Sequence, residues 1–289
     1  MKLETKARVI LDVTRVKAKQ YEFGIDEEFH VNLQQDPKRL LVFTIGILGE
    51  LAALESRLDD ERRQLKETLK EQLVLVGQYF ESMSTARISS GADEYLRILS
   101  SSSYYLADMP GSSLVLARTV SDIPEALTDS GLERFLVWLL KSELSKGFSL
   151  VPSGIFNIHI FNMARTYRWF MNMEADLADV EDELISFRSQ IYLSGTDREI
   201  LLADTIVALI KRKIENSSLI CLPKYTGLEI DRWKHVLNND HFMREFWPGQ
   251  RLVGRLGVLR GASAVIQMPT SAGKTKSAEL IIRSSFLSG

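Results

Sequence analysis

Gln267-Met268-Pro269-Thr270-Ser271-Ala272-Gly273-Lys274-Thr275 decides how this chain is read. The residues before it, Ala264-Val265-Ile266-Gln267, have the apolar, β-branched character of a short strand. Those after it, Lys276 to Leu287, contain no Gly or Pro and place Ala278, Ile281, Ile282 and Phe286 at helical spacing. Strand, glycine-bearing turn and helix together frame a phosphate-binding loop.

In such a loop the backbone N–H groups of the turn, at the positive end of the following helix, surround phosphate oxygens. Gly273 permits close backbone approach because it has no Cβ. Lys274 is placed to neutralise the β- and γ-phosphates, and the Thr275 hydroxyl to bind Mg²⁺. Thr270, Ser271, Ala272, Gly273, Lys274 and Thr275 are therefore the expected ATP-binding residues, with Lys274 and Thr275 in the catalytic roles and Thr275 as the metal ligand. Met268 stands where the general pattern G-x-x-x-x-G-K-[ST] has its first glycine.

Trp247-Pro248-Gly249-Gln250 lies upstream, with Pro269 nineteen positions after Gln250, and Ala278-Glu279 lies downstream. Taken together, Pro-x-Gln, Pro-Thr-Ser-Ala-Gly-Lys-Thr and Ala-Glu resemble the start of the motor of superfamily 2 helicases, the DEAD/DEAH-type enzymes. In that family the first loop position is often not glycine, and the Ala-Glu pair is similar to that of archaeal repair helicases and exosome-linked RNA helicases. The resemblance implies a RecA-like α/β domain, ATP and Mg²⁺ as cofactors, and DNA or RNA as the partner. It also implies that Gln250 contacts the adenine edge and that Phe246 or Trp247 packs on the base. It covers residues 240–289.

Charge divides the chain at the same place. From residue 241 onward, seven basic side chains face only Glu245 and Glu279, so this part is positive by five. The formal net charge is −2, which leaves the preceding 240 residues distinctly acidic. A basic nucleotide-binding piece behind an acidic N-terminal region is the reading. The expected division is 1–240, an all-helical accessory or interaction domain, and 241–289, the start of a RecA-like domain.

The first 240 residues read as eight to ten helices. Residues 2–21 form a basic amphipathic helix with Leu3, Ala7, Ile10 and Thr14 on one stripe. Asp36-Pro37 is a helix start, and Glu94–Ala107 with Ser112–Thr119 reads as a helical hairpin turned by Asp108-Met109-Pro110-Gly111. Phe156, Phe161, Met163, Tyr167, Trp169, Phe170 and Met171 read as core at helical spacing, and His159 with them. Arg165 and Arg168 among these aromatics also fit a base-stacking surface. The six acids between Glu174 and Glu183 lack Ca²⁺-loop spacing and read as a solvated face. Thr196-Asp197-Arg198-Glu199 is a capping box opening Ile200–Ile214. Ser217–Leu228, with Pro223 and Gly227, reads as a connection. An all-α region ahead of such a motor resembles large bacterial helicases, including anti-phage defence systems such as Hachiman.

Composition narrows the class. With 45% hydrophobic and 26% charged residues the chain is of the soluble globular kind. The apolar run Leu40–Gly49 is half the length that a bilayer span needs. Cys221, the single cysteine, excludes an intrachain disulfide and fits the reducing cytoplasm. Neither Asp26-Glu27-Glu28-Phe29 nor Asp182-Glu183-Leu184-Ile185 fits the Asp-Glu-x-[HD] box that holds Mg²⁺ in these motors. The expectation is therefore a mainly α chain ending in the first strand, phosphate loop and helix of an incomplete RecA-like domain, the N-terminal part of a larger helicase and inactive by itself. The alternative is a helical protein-interaction scaffold that docks an effector.

Overall fold

Apolar residues three and four apart recur through the chain, and helices carry nearly all of its regular backbone. The computed structural model describes residues 5–31, 37–56, 63–86, 92–120, 130–142, 148, 154–239, 241–269 and 273–289. These fall into two compact units: residues up to Phe170 with Ala175–Leu209, and Met171–Glu174 with Ile210–Gly289. The change of charge near residue 240 lies inside the second unit. No described helix is long and apolar enough to cross a membrane.

The first unit holds α1 (Thr5–Glu22), α2 (Pro37–Ser56), α3 (Arg63–Thr85), α4 (Asp93–Leu106), α5 (Pro110–Thr119), α6 (Leu132–Lys141), most of α7 (Asn157–Met171), α8 (Leu177–Ser194) and the first part of α9 (Asp197–Glu215). The helical hairpin forms as α4 and α5, with Pro110 at the first turn of α5, where its missing N–H costs nothing. The Thr196–Glu199 box is also made: Thr196 N donates to Glu199 Oε2 at 2.7 Å, and Glu199 N to Thr196 Oγ1 at 3.4 Å. Asp36 and Leu3 lie outside the described residues, as do the side chains of Ala7 and Ile10, whereas Thr14 is buried.

Four consecutive serines explain how closely α4 packs. Ser100, Ser101, Ser102 and Ser103 are all buried, and each hydroxyl donates to a backbone carbonyl: Gly77, Ser113, Ile98 and Leu99 respectively. Their small side chains admit α3 and α5 without leaving an unsatisfied hydroxyl. Farther along, Phe135 stacks on Trp138 at 5.8 Å and meets Phe187 edge-on, while Trp138 meets Tyr167 edge-on, which joins α6, α7 and α8 through rings. Phe156, Met163, Tyr167 and Phe170 are core as expected, and His159 is half-buried. Phe161 and Trp169, however, face outward, with the Arg165 guanidinium over both rings at 5.6 and 4.9 Å.

The second unit contains the end of α9, α10 (Ser218–Thr226), α11 (Lys234–Leu237), α12 (Pro248–Arg255) and α13 (Lys274–Ser288). Its core gathers Leu222, Tyr225, Trp233, Phe242, Phe246, Val253 and Leu280. Residues 217–228 are not the connection expected from Pro223 and Gly227. Ser217 caps a helix by accepting from Ile220 N at 3.3 Å, and Gly227 ends it in the left-handed region at φ 74°. Packing is tight at Gly254, where a Cβ would lie 2.4 Å from Tyr225 Cγ.

Two further expectations are corrected. Ala264–Gln267 form no strand: residues 262–269 have no regular structure, and Val265 is fully exposed. The described residues offer only an isolated bridge, Ser217 with Glu245, so no ladder pairs with this backbone. Helix α13 forms, but of the four spaced apolar residues only Ile281 packs against the core. Ser277, Leu280 and Ser284 are buried, whereas Ile282 and Phe286 are exposed.

Glu133 is fully buried and receives hydrogen bonds from Arg198 and Ser130, and Arg198 lies over the Tyr95 ring at 5.1 Å. Burial outweighs Arg198 and holds the Glu133 carboxyl above its usual range. The folded chain therefore binds that proton more tightly than the unfolded chain, and stability falls as pH rises from the unfolded to the folded pKa. Arg198→Ala is expected to cost about 3 kcal/mol at neutral pH by stranding this carboxylate. Denaturant unfolding across pH should show the loss shrinking as acid protonates Glu133.

Candidate nucleotide-binding site

The site is built on the start of α12 and the start of α13. Trp247 caps α12 in extended conformation and Pro248 takes its first turn, which turns the Gln250 side chain back along the helix. Gln250 Oε1 accepts from Trp247 N at 3.0 Å. Gln250 Nε2 donates to Gly273 O at 3.2 Å and to Ser277 Oγ at 3.3 Å. The element upstream and the glycine of the loop are thus joined across 23 residues, and Gln250 is only 2% exposed.

Gly273 precedes α13 in left-handed backbone, φ 80° and ψ 36°. Its carbonyl also accepts from Ser277 N at 3.0 Å and Ser277 Oγ at 3.2 Å. A Cβ on residue 273 would lie 2.5 Å from Gln250 Nε2, so that amide would have to shift, and the left-handed backbone itself favours glycine here. Lys274 and Thr275 follow on the first turn and are exposed. The first N–H groups of a helix have no intrahelical acceptor, and they carry its positive end. An exposed ammonium and an exposed hydroxyl thus stand at the start of this helix. Thr270, Ser271 and Ala272 lie outside the described residues.

The other expected residues are placed less directly. Phe246 is buried and stacks on Tyr225 at 6.0 Å, so its ring is a core element, while Trp247 stays half-buried. Glu279 is held by Lys276 at 3.0 Å and Arg283 at 3.0 Å, and the Lys276 ammonium is the main cause that keeps its carboxyl below the usual range. Lys276 also donates to His241 O at 2.7 Å. Burial pushes the Cys221 thiol up to about 11, so this cysteine is an inert core side chain near neutral pH. Among the described residues no group of three or more His, Cys, Asp or Glu side chains is arranged to hold a metal ion.

Sequence reasoning missed the residues beneath the site. Asn216 O accepts from Phe246 N at 2.7 Å, and its side chain from Arg251. Ser218 N donates to Arg244 O at 2.9 Å, Ser218 Oγ to Met243 O at 2.6 Å, and buried Lys213 pairs with Glu245 at 3.4 Å. This set anchors residues 243–246 immediately before Trp247. No motif marks it; the only signal is a cluster of polar residues, Asn216-Ser217-Ser218, between two apolar helices.

No protein-family model matches the chain, and no curated protein sequence matches it.

Gly273→Ala is expected to destabilise the second unit by about 1–2 kcal/mol, the cost of a side chain in left-handed backbone. It should also displace Gln250. Amide exchange would report this as lost protection at Trp247, whose N–H relies on Gln250 Oε1.

Proposed function

We propose that the second unit binds ATP with Mg²⁺ as part of a superfamily 2 helicase or translocase motor that acts on DNA or RNA. The observation that carries this reading is the Gln250 amide bonded to Gly273 and Ser277. Two sequence elements that resemble the same family meet at one helix start, which supports this reading. Lys274 would hold the β- and γ-phosphates, Thr275 the Mg²⁺, and the backbone from Thr270 to Gly273 the remaining oxygens, with Gln250 closing the loop from behind. Mg²⁺ supplies charge neutralisation when bound; the chain's own part is to bind and orient. The acidic first unit is the accessory region of this reading, and a cytoplasmic setting agrees with the lone, buried Cys221.

Titration of the chain with Mg·ATP tests this. Lys274→Ala is expected to weaken binding by about ten-fold or more, the scale of a lost charge-assisted hydrogen bond. Equal affinity in the two proteins, or no binding by the unaltered chain, would overturn the reading.

One observation favours a second reading, a helical scaffold that docks a protein effector. The first unit leaves Ile158, Phe161, Trp169, Ile185 and Leu193 exposed on α7 and α8. Paired pull-downs with and without nuclease separate the two. A protein partner retained after nuclease, and lost in a Phe161→Ser, Trp169→Ser variant that still binds Mg·ATP, would favour the scaffold.

A further inference from the structure

Helices α7 and α8 carry opposite charges on their outer sides. The α7 sequence has Arg165 and Arg168 and no acid, whereas the first two turns of α8 have Asp179, Glu181, Asp182 and Glu183 and no base. Burial raises the Glu183 carboxyl, and the opposing pull of His159 and Arg165 places α8 alongside α7, running back from the short turn that joins them. Arg165, Arg168, Glu181 and Asp182 are all exposed, and none forms an ion pair with another described residue.

The exposed apolar residues follow the same division. Ile158, Phe161, Arg165 and Arg168 recur three and four apart, with Trp169 beside them, so one stripe of α7 is apolar at its start and cationic at its end. The Arg165 guanidinium lies over the rings of both Phe161 and Trp169, which holds its charge in one place on that stripe. The outer side of α8 runs the other way, with Glu181 and Asp182 first and the exposed Ile185 and Leu193 after them. Because the two helices are antiparallel, the cations of α7 are level with the acids of α8, and Ile158 and Phe161 are level with its apolar end.

We propose that two copies of this chain associate through the outer faces of α7 and α8, each α7 laid on the partner's α8. A two-fold interface has to be complementary to itself, and an axis parallel to these helices meets that demand at both ends. It brings Arg165 and Arg168 to the Glu181 and Asp182 of the partner subunit, and Ile158 and Phe161 to its apolar end. The pairing also covers rings and aliphatic side chains that otherwise stand in water. It goes beyond the nucleotide reading and does not depend on it, and it gives to a second copy the face that the scaffold reading leaves to an effector.

Sedimentation of the full 289-residue chain, before and after nuclease treatment, tests this over about 1 to 100 µM. A monomer–dimer equilibrium in that range is expected, weakening as salt screens the charges. Arg165→Glu with Arg168→Glu, and Glu181→Arg with Asp182→Arg, should each weaken self-association by about ten-fold or more. An equimolar mixture of the two variants should dimerise like the unaltered chain, because each reversed helix then meets a reversed partner. Circular dichroism verifies that both variants are folded. A chain that stays monomeric at the highest concentration overturns the proposal, and a protein effector held through Phe161 and Trp169 would then own the face. Dimers that survive both reversals, or folded variants that do not recover on mixing, overturn it as well. Association lost on nuclease treatment identifies a nucleic-acid bridge and likewise overturns it.

Discussion

The Gly273 carbonyl is the point on which the second unit turns. It accepts from the α13 backbone, from the Ser277 hydroxyl and from the Gln250 amide, so one oxygen fixes where α13 begins and how it faces α12. The left-handed backbone of Gly273 aims that oxygen inward and leaves the next two side chains, Lys274 and Thr275, outside. A buried polar contact of this kind is costly when half made and specific when complete. Here it is complete on the glutamine's donor side. The network beneath it, Asn216 with Arg251 and Lys213 with Glu245, extends the same logic to the segment that carries Trp247.

The first unit solves a different problem with the same chemistry. Helices pack closely only where side chains are small, and the run Ser100–Ser103 gives α4 that freedom on every face at once. Alanines would have done so too, but serines add hydroxyls that bind α3 and α5 carbonyls directly. Around α6 the opposite device operates, with large rings meeting edge to face. Glu133 is buried on α6, and Arg198, reaching it from α9, offsets only part of the cost of burying its charge.

Helix existence was legible from spacing and the start at Thr196 from capping chemistry, whereas Pro110, expected within a turn ahead of a helix opening at Ser112, itself begins α5. What misled was punctuation without context. Pro223 and Gly227 look like a turn, yet Ser217 and Gly227 bracket a helix and Pro223 sits within it. Ala264–Gln267 has a strand's composition, but composition does not supply a neighbouring strand. On α13 the apolar residues Ile282 and Phe286 mark the outward face, because Ser277 and Ser284 take the inner one by donating to Gly273 and Leu259 carbonyls. A reading by hydrophobicity assigns serines to solvent and misses this. The site itself was half visible: Gln250 and Gly273 stood in the sequence, while the bond between them is a fact of three dimensions.

The exposed segment 262–269 makes α13 nearly a separate ligand of the unit it belongs to. The helix is held by Gln250 at its start, by Lys276 on His241 O, by Ser284 on Leu259 O and by Arg232 on Leu287 O, besides Leu280 in the core. None of these grips passes through the covalent connection. A single proteolytic nick near Val265 would therefore leave the helix docked, and the two pieces would behave as a split protein whose halves recombine around the Gly273 oxygen.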